Sequence, residues 1–194
     1  PYFTLLDNCA ARLGAVLRGE VEANDVLFPG GSMHLVEPIY RGNRIVDHFQ
    51  TIVAEATAAA VRAALRDLPP GQVVRILEIG AGTGGTTAFV LPALEPFADR
   101  VRYVFTDVGR AFLDGARARF GAYRFMTVEH LDIEQPPAAQ GFEANGFDIV
   151  IAANVLHATR DIATTLAQVR ALCRKNGLLI LNEATARQDF NTMT

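Results

Sequence analysis

The sequence holds no tryptophan, two cysteines and a single lysine, Lys175, among 18 basic residues. Each scarcity excludes something. Cys9 and Cys173 make neither a disulfide framework nor a zinc site, so no metal is expected and a reducing cytoplasm is the expected compartment. With 18 basic against 21 acidic residues and a net charge of -3, the chain lacks the basic footprint of a general nucleic-acid binder. Arginine in place of lysine, beside abundant alanine, reads as codon bias. No apolar run approaches the roughly 20 residues of a membrane helix, and no basic-then-apolar signal opens the chain. Neither nucleic acid nor membrane is an expected partner.

What is present is enough for a core. The 194 residues are 50% hydrophobic and 20% charged, a balance suited to one globular domain and unlike that of a disordered chain. A start at Pro1 without methionine reads as a piece cut from something longer.

Two regimes divide the chain. In FTLLDNCAARLGAVLRGE, Leu5, Leu6, Cys9, Leu13, Val16 and Leu17 fall at helical spacing. Pro29, Gly30, Gly31, Pro38 and Gly42 then interrupt any regular element, so residues 1–46 read as a lid or covering segment. A second helix is expected from Asp47, as cap, to Leu68, with PPG at 69–71 stopping it. Residues 47–194 form the expected core.

Beyond Gly71 the period changes. VVRILEI (73–79), VRYVFT (101–106), FMTVEH (125–130), FDIVIAA (147–153) and LLILN (178–182) read as short, largely apolar strands. Helices are expected between them at 85–98, 110–120 and 161–174, the last opened by Asp161, ended by Arg174 and Lys175 and followed by Gly177. Near-continuous apolar strands alternating with helices require a parallel sheet covered on both faces, an α/β doubly wound fold. Its ligands bind beyond the carboxyl ends of the strands.

The sharpest local signal is ILEIGAGTGGTT, residues 76–87, between a strand and a helix. Gly80 and Gly82 allow a tight turn and close ligand approach, with Ala81 between them, and Gly84 eases packing at the helix start. No G-K-S/T ending follows, which excludes a phosphate-cradling P-loop. The stretch GAGTGG satisfies even the dinucleotide pattern, and Glu78 discriminates: a carboxylate there repels a pyrophosphate but suits a cationic ligand or orders the loop through backbone N–H groups.

With Glu78, Gly80, Gly82 and Gly84, the sequence resembles the class I S-adenosylmethionine-dependent methyltransferases, whose first motif looks like E-x-G-x-G-x-G. The resemblance implies a Rossmann-like core with S-adenosylmethionine as cofactor. It implies that Asp107 meets the ribose hydroxyls and Asp132 the adenine amino group, with Leu131 and Ile133 against the ring and Asn154 near the methionine part.

His157, just past the fourth strand, and Glu183, at the end of the fifth, would lie at the same ligand-binding edge. A carboxylate bonded to an imidazole fixes its tautomer and equips it to remove a proton. His34, His48 and His130 show no such partner spacing and read as surface or packing residues, and Cys173 as a helical core residue. Six arginines between Arg100 and Arg124 read as a solvated helix face, or as a basic face for an acidic partner.

YRGN (40–43), the glycine loop, NVLHATRD (154–161) and LNEAT (181–185) resemble the C-methyltransferase domains of modular polyketide synthases. That resemblance implies a β-ketoacyl thioester on an acyl carrier protein as substrate, with neighbouring synthase domains as partners. His157 and Glu183 would be the base pair. Tyr40 would lie near the substrate or cofactor, or else anchor a loop. An O-methyltransferase and a non-catalytic, methyltransferase-like structural domain are the alternatives. Methyltransferases of this class continue after the fifth strand with antiparallel strands, and those are expected to be missing beyond Thr194.

Overall fold

The computed structural model describes residues 2–32, 34–36, 42 and 44–185. They fall into two compact units, Pro1–His48 with Ala184–Thr194, and Phe49–Glu183.

In the first unit, helix α1 (Tyr2–Leu17) precedes the short helix α2 (Ala23–Leu27). The α1 helix ends at Leu17, the last of the helically spaced apolar residues, because Gly19 turns to φ 70° and the Glu20 N–H closes back on the Ala15 carbonyl at 2.9 Å. Such a left-handed glycine satisfies carbonyls that a helix end leaves open. Asn8 ties the two helices by donating from Nδ2 to the Val26 carbonyl at 2.6 Å. A 3-10 turn follows at Pro29–Gly31.

Helix α3 (Arg44–Asp67) starts three residues ahead of the expected Asp47. Asp47 therefore lies within the first turn instead of capping it. Its Oδ1 reaches back to accept the Gly42 N–H at 3.1 Å.

The second unit holds one sheet among the described residues, with strands β1 (Val74–Ile79), β2 (Val101–Asp107), β3 (Met126–His130), β4 (Phe147–Ala153) and β5 (Cys173–Asn182). Their order is β3-β2-β1-β4-β5 and every pairing is parallel. This is the doubly wound fold expected from the sequence. The chain reverses direction across the sheet between β1 and β4, so a crevice opens at their carboxyl ends. Helices α4 (Thr87–Leu94), α5 (Arg110–Phe120) and α6 (Ile162–Leu172) make the crossovers.

Side-chain alternation along the strands builds two cores. Ile76, Tyr103, Phe105, Ile149 and Ile151 face α3, α4 and α5, packing with Val61, Leu91, Leu94 and Phe120. Leu77, Ile79, Val150 and Ala152 face the other way, with Leu131, Ile133, Val169 and Leu172. Both faces of the central strands are dry, which is why their sequences are almost wholly apolar.

Three further elements differ from their expected bounds by more than one residue. Helix α4 stops at Leu94 because Pro96 cannot extend it, and a 3-10 turn, Glu95–Arg100, carries the chain to β2. The last helix ends at Leu172, and β5 begins at once with Cys173, which is thus a half-buried strand residue rather than a helical one. Arg174 and Lys175 sit in this strand, not at a helix end. The ladder slips between Phe147 and Ile149, where Cys173 pairs with the first and Leu178 with the second. Asp148, at the slip, is buried. Its carboxylate accepts the Arg75 N–H at 2.6 Å and pairs with the Arg174 guanidinium.

Gly177 closes this bulge. A Cβ there would stand 2.6 Å from Cys173 Sγ, 2.9 Å from the Asp148 carbonyl and 3.0 Å from the Arg174 carbonyl. Gly177→Ala is therefore expected to cost about 1–3 kcal/mol, since the crowding atoms are largely backbone and cannot step aside. Thermal unfolding measures it, and an unshifted midpoint would refute this packing.

Candidate active site

The β1 strand delivers Glu78 and then the glycine loop to the crevice. Gly80, Gly82 and Gly84 all have positive φ, at 57°, 56° and 74°. At Gly80 the need is also steric, because a Cβ would meet Val155 Cγ2 at 2.2 Å. At Gly84 the neighbour is the Phe120 ring, 2.5 Å from such a Cβ. Gly82 differs: its nearest neighbour would be the Gly80 carbonyl at 4.0 Å, so the loop presents bare backbone at its middle. The Ala81 N–H donates to the Thr106 carbonyl at 2.9 Å, which anchors the loop on β2.

Glu78 is 1% exposed. Thr87 Oγ1 and Tyr103 OH both donate to its Oε2 at 2.5 Å, and its Oε1 is buried with no hydrogen-bond partner. Burial raises its pKa to about 7, against the opposing pull of the two hydroxyl bonds. Tyr103 is pushed up in turn, by burial and then by the adjacent Glu78 charge. The acid that orders the loop through backbone N–H groups is Asp107. Its Oδ2 accepts from Gly82 at 2.9 Å and its Oδ1 from Gly109 at 2.8 Å.

The remaining sites expected from the sequence lie along the same edge. Asp132 is half-buried beyond β3. Its Oδ1 accepts the Glu134 N–H at 2.9 Å, and its own N–H is held by Gln140 Oε1 at 2.8 Å. Leu131 and Ile133 are buried in the second apolar core. Asn154, exposed just past β4, has φ 51°, and its N–H donates to the Asn182 carbonyl at 2.8 Å. Tyr40 and Asn43 lie outside the described residues.

His157 sits in a 3-10 turn, Leu156–Ala158, with 59% of its side chain exposed. Its Nδ1 lies 2.5 Å from Glu183 Oε2, at the end of β5. The pairing of β4 with β5 carries the two residues to one place across 26 sequence positions. Against an ionised carboxylate, which only accepts, Nδ1 would carry the proton and Nε2 of a neutral ring would keep its lone pair. The other Glu183 oxygen, Oε1, accepts from the Val155 and Leu156 N–H groups at 3.0 and 2.9 Å.

Thr87, Tyr103 and Val155 are the participants that sequence reading does not single out. The first two are the hydrogen-bond donors to Glu78, and Val155 closes over Gly80. Only the β1–β2 register, which pairs Ile76 with Tyr103 and Glu78 with Phe105, shows that Tyr103 reaches Glu78.

A cationic cofactor fits these residues on two observations: a buried carboxylate oxygen without a partner, and a glycine cradle whose open side a Cβ would fill. Among the described residues no three His, Cys, Asp or Glu side chains come together as a metal cluster. None of the described helices is long and apolar enough to cross a membrane.

A parallel 3-2-1-4-5 sheet with an acid and a glycine cradle at its switch point is the arrangement of the class I S-adenosylmethionine-dependent methyltransferases. Residues 77–179 match the methyltransferase domain family, and the chain belongs to it. It is similar to polyketide synthase ThaQ of Burkholderia thailandensis, with 45% identity over 201 residues, covering 100% of this chain and 9% of that synthase. Among solved structures it is similar to the DszA carbon methyltransferase, with TM-score 0.90 and 45% identity over 100% of this chain and 50% of that one. It is also similar to the trans-methyltransferase CalH in complex with SAH, with TM-score 0.74 and 34% identity over 96% of this chain and 49% of that one. The chain thus spans about half the length of these solved methyltransferases.

Glu78 has a consequence for stability. It ionises near 4.5 in the unfolded chain and near 7 in the fold, so the native state holds an extra proton between those values. Its contribution is therefore most favourable below pH 4.5 and falls by about 3 kcal/mol as pH rises to 7. Unfolding of the ligand-free protein across that range should show the fall, and Glu78→Gln should flatten it. Identical slopes in the two proteins would show that Glu78 does not titrate in this way.

Proposed function

We propose that this chain carries the cofactor seat and the base of a C-methyltransferase acting within a polyketide synthase. The substrate would be a β-ketoacyl thioester on an acyl carrier protein, methylated at the carbon between its two carbonyls. The observation that carries the reading is the Glu183–His157 pair, which leaves Nε2 of an exposed histidine as a free acceptor at the mouth of the crevice. The similarity to DszA, a carbon methyltransferase, and to ThaQ, a polyketide synthase, supports the same reading.

In this reading Glu78 and the backbone of Gly80, Ala81 and Gly82 would hold the methionine side of S-adenosylmethionine, with Asn154 at its end. Asp107 would meet the ribose, and Asp132 with Ile133 the adenine. Both Asp107 oxygens already accept one backbone N–H, and each keeps a further lone pair for a hydroxyl. When bound, S-adenosylmethionine supplies a methyl group on a sulfonium, an electrophile that already carries its leaving group.

The chain has two things left to supply, alignment and a base. A carbon flanked by two carbonyls is acidic enough for an imidazole. His157 Nε2 would take that proton, and Glu183 Oε2, bonded to Nδ1–H, would hold the ring's tautomer and stabilise the imidazolium. Tyr40 would act near the substrate, and the 1–46 segment would serve as a lid. Neighbouring synthase domains and the carrier protein would be the partners.

Incubation of the full-length protein with S-adenosylmethionine and a β-ketoacyl carrier protein, followed by mass spectrometry, tests the proposal. One methyl on the α-carbon is expected, whereas a methyl on oxygen would contradict it. His157→Ala should lower the transfer rate by roughly 10²–10⁴-fold with cofactor affinity nearly unchanged. Full activity in that variant would eliminate His157 as the base.

A further inference from the structure

Glu183 has two oxygens and three donors. Oε2 takes the His157 ring, while Oε1 takes the backbone N–H groups of Val155 and Leu156. The second task has nothing to do with proton transfer. Asn154 is in the left-handed region at φ 51°, and Val155 follows at φ -133°, ψ -40°, so the chain turns sharply as it leaves β4. The turn points two consecutive N–H groups at one place, and Glu183 answers both.

The turn in question is the far wall of the glycine cradle. Val155 lies so close to Gly80 that a Cβ on the glycine would meet its Cγ2 at 2.2 Å and its Cβ at 2.9 Å. Leu156, the other residue held, is 2% exposed and is a member of the second apolar core. The path is continuous: Glu183 Oε1 fixes the Val155–Leu156 turn, the turn sets Val155, and Val155 bounds Gly80.

We infer that Glu183 is a positioning residue for the cofactor cradle as well as for the base, shaping the glycine loop through the Val155–Leu156 turn. The inference rests on reading that loop as the seat of S-adenosylmethionine. Its consequence is that the two tasks of one carboxylate come apart under different substitutions. In Glu183→Gln the amide oxygen still accepts both N–H groups. The amide NH₂ faces Nδ1 and can only donate, so it forces Nδ1 to accept and moves the ring proton to Nε2, where it blocks the base. Glu183→Ala abolishes both functions, leaving two backbone donors without an acceptor.

The test is calorimetric titration of SAH, which needs no turnover, into the full-length protein and its Glu183→Ala, Glu183→Gln and His157→Ala variants. Transfer rates are measured alongside. Binding should weaken roughly tenfold or more in Glu183→Ala and stay within about twofold of the parent in the other two, while transfer falls in all three. Amide exchange at Val155 and Leu156 should accelerate in Glu183→Ala and not in Glu183→Gln, a readout that does not depend on ligand.

Parental SAH affinity in Glu183→Ala would overturn the inference. So would equal weakening in Glu183→Gln, because the carboxylate charge and not its acceptor geometry would then be responsible. Retention of transfer by His157→Ala would instead strike at the proposed base and leave the binding comparison intact.

Discussion

The contact of Val155 with Gly80 is the constraint on which the site depends. It joins the loop after β1 to the turn after β4, the two strands between which the sheet reverses its winding. Any side chain at position 80 would drive these segments apart. The glycine is thus required by what packs on it as much as by its φ of 57°. With the segments in contact, the glycine loop and His157 are joined through one short stretch of backbone, so their spacing is set by the fold itself rather than by long side chains.

Around that contact the carboxylates divide the labour by burial. Glu78, fully enclosed on the α3–α5 face, is held by two hydroxyls and keeps one oxygen unanswered. Asp107 spends an oxygen on each of two backbone N–H groups and so sets the curvature of the glycine loop. Glu183, the most accessible of the three, binds both backbone and imidazole. The same functional group serves as an unfilled acceptor, a loop clamp and a bridge, according to the donors its strand brings within reach. Repulsion among them is limited because Glu78 is held largely protonated below pH 7 by its dry surroundings.

Much of this was legible in the residues themselves. FDIVIAA at 147–153 is β4 to the residue because a nearly continuous apolar run delimits it, and 110–120 is α5 to the residue because Gly109 and Gly121 bracket it. The meeting of His157 with Glu183 also followed from sequence, since both stand just past neighbouring parallel strands. The partner of Glu78 did not, because Tyr103 reads as one more apolar strand residue until the β1–β2 register is known. The early start of β5 was hidden for a similar reason. Arg174, Lys175 and Gly177 carry a helix-end signature, and only Asp148, buried 26 positions earlier in the chain, accounts for the bulge they form. Local patterns reveal elements and their edges, whereas buried polar pairings depend on a register that no local pattern contains.

The tautomer of His157 tests the central claim most directly. A two-bond proton–nitrogen correlation spectrum of the ligand-free, full-length protein, with the histidine rings labelled, distinguishes which nitrogen carries the proton. If Glu183 accepts from Nδ1–H across the 2.5 Å contact, the neutral ring will be the Nδ1-protonated form with Nε2 bare, and Glu183→Gln will invert that assignment. A neutral His157 ring protonated at Nε2 in the parent protein would contradict the account, because Nε2 would then have no lone pair with which to take a proton.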